Sequence, residues 1–128
     1  MKFCSLDYYE QVRETANIDK EFLSRSRGFA ATFRFEVTDR LDELPPVFMR
    51  FEGGEVTEAR LLHPDEKTDF ALEAPYEAWV KVGKGELDGA TAIMIREIKF
   101  FGSMEQIMKH AKAFQRLLTL MMTVPVEY

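Results

Sequence analysis

The amino-acid sequence predicts an α+β fold, a mainly antiparallel sheet covered by helices. Three observations carry this. Strand-like runs follow one another from Phe29 to Glu73 with no helical stretch between them. Helical three- and four-residue spacing of apolar residues brackets that region at both ends of the chain. The composition supports a single packed core: 46% of the 128 residues are hydrophobic, and Gly and Pro number only 7 and 5.

The first helix is expected from Leu6 to about Ala16, because Leu6, Tyr9, Val12 and Ala16 recur on one face and Ser5 can cap the start. Asn17-Ile18-Asp19 reads as a break, since Asn and Asp compete with the helical backbone. A short second helix follows, with Phe22 and Leu23 turned inward. The period then becomes two. Phe29, Ala31, Phe33, Phe35 and Val37 share one face of the clearest strand, with Thr32, Arg34, Glu36 and Thr38 on the other. After Pro45-Pro46 comes a strand from Val47 to Phe51, and Gly53-Gly54 signals a two-residue hairpin into a third strand, about Val56 to Leu62. His63 to Glu66 is a turn, and Thr68 to Glu73 a fourth strand. Pro75 opens a helix with Tyr76, Trp79 and Val80 on one face, which Gly83 and Gly85 end. Asp88 caps a short helix through Ile95, and Glu97 to Phe101 is a fifth strand that Gly102 stops. Ser103 with Gln106 forms a capping box for one last, strongly amphipathic helix. Its stripe is Met104, Ile107, Met108, Ala111, Phe114, Leu117, Leu118 and Met121. Leu120, Met122, Val124 and Val126 widen the apolar surface near its end.

Length and charge narrow the function. The chain is one domain, residues 1–128, able to bury about two-thirds of its unfolded surface without disulfide or metal. A net charge of -5 argues against generic nucleic-acid binding. The lone Cys4 fits a reducing compartment, and no apolar run reaches the roughly 18 residues a bilayer span needs. A cytoplasmic protein is expected. Within residues 96–116, Arg96, Lys99, Lys109, Lys112 and Arg116 face only Glu97 and Glu105, which suggests weak contact of this side with anionic membrane.

The side chains offer little catalytic machinery. His63 sits in a turn and His110 on the polar flank of the last helix, so both read as exposed structural histidines. Cys4 lies near the N-terminus and does not read as a catalytic thiol. His63, Asp65 and Glu66 crowd one turn but lack the i, i+4 histidine pair of a typical metal site. No phosphate-binding glycine motif occurs, so no metal, cofactor or catalytic residue is expected.

The run from Thr68 to Lys109, TDFALEAPYEAWVKVGKGELDGATAIMIREIKFFGSMEQIMK, resembles the second half of a sterol carrier protein 2 (SCP2-like) domain. The matching positions are Asp69, Trp79, Gly85-Glu86-Leu87, Ala92, Ile98, Phe100, Gly102 and Met108-Lys109. The Phe33-to-Val37 strand and the Phe51-Glu52-Gly53-Gly54 hairpin also fit the family's first strands, so the resemblance covers nearly the whole chain. Gly89, Arg96 and Ser103 depart from it, standing where the family often has Pro, Gly, and Asn or Asp. The resemblance implies a divergent, prokaryotic-type member with a five-stranded sheet and helices packed on one face. It also implies an apolar tunnel between them that binds fatty acids, acyl-CoAs or other lipids without chemistry.

Phe and Met suit such a lining, since Phe offers flat apolar area and Met adapts its shape. The candidates are Phe33, Phe35, Met49, Phe51, Phe70, Trp79, Met94, Phe100, Met108, Leu118, Met121 and Met122. The alternative is a structural or interaction module that forms a homodimer through the wide apolar end of the last helix. Bound lipid would favour the first reading, and a concentration-dependent dimer with a filled core the second.

Overall fold

The computed structural model describes all residues, Met1 to Tyr128. Helices α1 (Leu6–Ile18) and α2 (Lys20–Arg25) precede strands β1 (Ala31–Val37), β2 (Val47–Glu52), β3 (Glu55–Leu61) and β4 (Phe70–Ala74). Then come α3 (Tyr76–Gly83), α4 (Gly89–Met94), β5 (Lys99–Phe101), α5 (Met104–Lys109) and α6 (Ala111–Thr123). The sheet has five strands in the order β3-β2-β1-β4-β5. Three neighbouring pairs are antiparallel, and β1 with β4 is parallel, so the sheet is mixed. The β2–β3 hairpin fills one side of β1, and the chain crosses back to the other side, where β4 runs in the same direction as β1.

Alternation decides which face is buried. Ala31, Phe33 and Phe35 of β1 lie beside Phe51, Met49 and Val47 of β2, and Phe33 and Phe35 lie beside Phe70 and Leu72 of β4. All of these are buried beneath the helices. Gly53 and Gly54 close the hairpin at φ of +60° and +80°, the left-handed pair that a two-residue turn requires. Gly54 is doubly constrained, since a Cβ there would sit 3.0 Å from the Ser26 carbonyl oxygen. The buried Ser26 hydroxyl in turn donates to the Gly54 carbonyl and ties α2 to the hairpin.

The opposite face covers itself with its own charges. Arg50 and Arg60 both grip Glu58, at 3.1 and 2.7 Å, and Arg60 holds Glu66 through two hydrogen bonds of 2.7 and 2.8 Å. These arginines roof Phe48, with the Arg60 guanidinium 3.9 Å from the ring centroid. Phe48 is thereby only 1% exposed although it belongs to the outward side.

The break expected at Asn17-Ile18-Asp19 falls at Asp19, which closes α1 after Ile18 and caps α2 through a bond from the Phe22 N–H. The Asn17 amide donates to the Val56 carbonyl and accepts from the Val56 N–H. The final helix is two helices, parted at His110. No Gly or Pro marks the kink; it falls where the His110 ring packs on Phe29, 4.8 Å between centroids. The chain ends meet: Phe3 N–H donates to the Glu127 carbonyl and Glu127 N–H to the Met1 carbonyl.

Candidate functional site

The helix–sheet interface is filled by rings. Phe33 stacks with Phe70 and Phe114 at centroid distances of 5.0 and 5.8 Å and meets Phe51 edge-on at 5.2 Å. Phe35 stacks with Tyr9 at 5.1 Å. Trp79 donates its indole N–H to the Glu36 and Ala74 carbonyls, at 3.0 and 3.1 Å, so a buried polar atom is satisfied at the end of β1 and β4. The Asp69 carboxylate accepts from the Thr32 N–H and hydroxyl, which extends the β1–β4 pairing by side chain. Two positions that carry the family resemblance, Asp69 and Trp79, thus hold the sheet and core together.

Open apolar space lies at the margin of this core. Helices α4 and α5 stand apart over β5 and leave a groove with two lobes, of about 210 and 420 Å³. Both lobes share Ile93, Met94, Phe100 and Met104. The smaller reaches Ile107, Met108 and Phe114, and nine of its ten lining residues are apolar. The larger reaches Ile98, Phe101, Gly102 and the cations Arg96 and Lys99. Large side chains here face water: Met94 is 82%, Met108 65% and Met104 55% exposed. Beside the groove, past Arg96 and Lys99, lies a charged cleft of about 500 Å³ between α3 and the ends of β4 and β5.

Of the residues expected to line a tunnel, Met94, Phe100 and Met108 meet in this groove. Leu118 and Met122 line a separate hollow of about 300 Å³ against the start of α4. Phe33, Phe35, Met49, Phe51, Phe70, Trp79 and Met121 are instead buried in the packed core and border none of these spaces. Residue type alone singles them out, and residue type does not separate core from cavity wall. The same reasoning misses Ile93, Met104, Ile107, Phe114, Arg96 and Lys99 as lining. The available signal is the apolar run Ile93-Met94-Ile95, more than a six-residue helix can bury.

Two surfaces expected to be free are partly covered by the chain itself. Leu120 and Val124 at the end of α6 are buried by the chain itself, where Tyr8 donates to the Met121 carbonyl at 2.7 Å and the N-terminal residues pair with Glu127. Of the apolar residues that widen the end of the last helix, Leu120 and Val124 are thus covered within the chain, while Met122 stays exposed. Arg116 is clamped by Asp19 at 2.9 and 3.0 Å and by Glu21 at 3.0 Å. This hydrogen bonding holds the Asp19 carboxyl below its usual range and removes Arg116 from the cationic side facing solvent.

The reactive-group candidates are also placed. Cys4 is buried, and burial pushes its thiol up to about 12, far from a thiolate at neutral pH. His63 is exposed, and its neighbour Glu66 is held by Arg60, which draws that carboxyl down to about 2. His110 is the helix joint rather than a polar flank. No group of three His, Cys, Asp or Glu side chains is arranged to hold a metal ion. No helix is long and apolar enough to cross a membrane.

The model of the SCP-2 sterol transfer family matches residues 10–115. The chain belongs to that family. Lipid binding or transfer is what the family does in general. A crystal structure of sterol carrier protein 2 is similar over 93% of this chain and 96% of its own, at 17% identity and a TM-score of 0.79. The solution structure of a conserved hypothetical protein from Thermus thermophilus, described as possibly a sterol carrier protein, is similar over 99% and 92%, at 17% identity and a TM-score of 0.82. A double mutant of the sec-alkyl sulfatase PisA1 is similar over 81% of this chain but 15% of its own, at 14% identity and a TM-score of 0.59. These likenesses show the fold: the α+β architecture and five-stranded sheet expected from the sequence are those of SCP2 proteins. No curated protein sequence matches the chain.

Proposed function

We propose that the protein binds and carries one hydrophobic ligand, a fatty acid, an acyl-CoA or another lipid, without chemistry, in the groove between α4, β5 and α5. The observation that carries this is the exposed apolar lining itself. Single exposed apolar side chains, such as Ile18 and Leu41 here, need no explanation, whereas a contiguous apolar concavity does. Met94, Met104 and Met108 stand in water together around a concave, nearly all-apolar wall. The larger lobe lies within the usual volume of small-molecule sites, about 300–1,000 Å³. Helix α5 is six residues long and buries only Ile107, so few contacts oppose a displacement that would widen the groove already lined by Phe100 and Phe114.

Two measurements test the reading. Native mass spectrometry of freshly purified protein reports bound lipid and stoichiometry together, and a thermal-shift series adds fatty acid or acyl-CoA to delipidated protein. Ligand at about 100 times its dissociation constant stabilises the fold by about 2.7 kcal/mol, a rise of several degrees. A lipid-free mass, an unchanged Tm across a broad panel and a concentration-dependent dimer would overturn the carrier reading and assign the apolar lining to self-association.

A further inference from the structure

Resting on the carrier reading above, we infer that Arg96 and Lys99 select the head group of the ligand, so that the groove prefers a single-chain amphiphile with an anionic head to a neutral one of the same length. Both residues line the apolar lobe and also the charged cleft, so they stand at the boundary between tail space and head space. Both are exposed and neither has an ion-pair partner. The acids around them are largely committed: Glu97 pairs with Lys81 at 3.7 Å and Glu73 with Arg34 at 3.2 Å, leaving Glu77 as the unpaired carboxylate of the cleft. The six charged residues lining the cleft sum to zero, and Lys99 stands across the ladder from Glu73. Only Arg96 and Lys99, however, are cations there without an ion-pair partner, and both lie on the side of the apolar lobe.

The backbone at Arg96 supports the same conclusion. Helix α4 ends with Glu97 N–H bonded to the Ala92 carbonyl at 2.9 Å and Arg96 N–H to the Ile93 carbonyl at 3.2 Å. This pair of bonds is the Schellman ending, and its left-handed residue is usually glycine. Here that residue is Arg96, at φ +63°. An arginine there costs stability that glycine would not. Its side chain makes no hydrogen bond or ion pair within the protein that would offset the strain. A strained residue with an unused cationic side chain at the mouth of an apolar groove is explained by a ligand. The tail lies along Met94, Phe100 and Met104, and the head group meets Arg96 and Lys99.

The test measures dissociation constants for dodecanoate and dodecanol, a matched anion and neutral, on wild type and on Arg96→Asn/Lys99→Gln. Asn tolerates the left-handed backbone and carries no charge. The wild type is expected to bind the anion at least tenfold tighter, with the preference shrinking at high salt. The double variant is expected to lose that preference while holding dodecanol within twofold. Arg96→Gly alone is expected to raise Tm by about 2–4 °C while weakening dodecanoate severalfold, a combination a purely structural arginine would not give. Equal affinity of the wild type for the two ligands, or equal loss of both in the variant, overturns the inference and leaves the carrier reading standing. Binding of neither ligand by the wild type removes both. Lost binding to phosphatidylglycerol vesicles with dodecanoate affinity unchanged overturns it too, by assigning the cations to a membrane surface.

Discussion

Met108 separates what holds the protein together from what holds its ligand. Burying a methionine side chain fully is worth about 1.5–3 kcal/mol. Met108 is 65% exposed in the folded chain, so folding has captured only about 0.5–1 kcal/mol of that sum. The remaining ~1–2 kcal/mol is available to whatever covers it, and corresponds to about 5–30-fold in affinity. Met108→Gln keeps the length and removes most of the apolar gain. Tm should therefore fall by no more than about 3–6 °C, while the dissociation constant for a fluorescent fatty-acyl probe rises by about 5–30-fold. Met94, at 82% exposed, should behave the same way with a still smaller effect on Tm. The assay pairs probe titration with a melting curve on the same delipidated sample. An affinity within twofold of wild type would refute the reasoning. So would a Tm drop above about 10 °C, which at this length means Met108 belongs to the core.

Phe33→Ala is the opposite case: Phe33 is fully buried among Phe51, Phe70 and Phe114. Its loss should cost about 3–5 kcal/mol by urea denaturation, and a cost under about 1 kcal/mol would mean that the ring cluster can close on itself. Gly102→Ala should cost about 2–4 kcal/mol. It needs φ +131°, and its Cβ would approach Phe70 to 2.4 Å and the Asp69 carbonyl to 2.8 Å; a wild-type urea midpoint would contradict both constraints. Glu66 supplies a pH dependence. Arg60 lowers its carboxyl from 4.5 to about 2 in the folded chain, so its stabilisation is complete above about 4.5 and is lost as pH falls toward 2. Urea midpoints of wild type and Glu66→Gln should differ at pH 6 and converge near pH 2; a constant gap would rule out the pair as the source.

Periodicity makes the sheet legible because alternation in β1 and β2 is enforced by one buried face, and the Gly53-Gly54 pair accepts the left-handed turn that other residues resist. The break at His110 is not legible. The stripe from Met104 to Met121 keeps helical spacing across it, and the residue at the kink packs its ring on Phe29, far earlier in the chain. Phe48 misleads for the same reason. Its place on the outward face implies exposure, and only the fold brings Arg50 and Arg60 over it. The candidate site is legible in kind but not in place. Apolarity points to Met94, Phe100 and Met108, yet Phe33 and Phe70 are as apolar and lie in solid core. What distinguishes them is which rings already have neighbours, a property of the assembled layers rather than of any local pattern. Arg96 is visible as a charged residue where the family often has Gly, which is the signal of its left-handed backbone, but its lack of an ion-pair partner is not visible.

The Asn17 amide has a consequence for how molecules of this protein meet one another. A sheet ends in two rims whose backbone groups can recruit strands from other chains. One rim, β5, is three residues long and stops at Gly102. The other, β3, is seven residues long and would be the better template for stacking. There α1 runs alongside, and Asn17 occupies both the N–H and the carbonyl of Val56 with its own donor and acceptor. A carboxamide has the same pairing groups as a peptide unit, so it acts as a single-residue false strand and terminates the ladder. Asn17→Ala would reopen that position. The cost would appear less in the melting temperature than in light scattering at high concentration, as chains add edge to edge along β3.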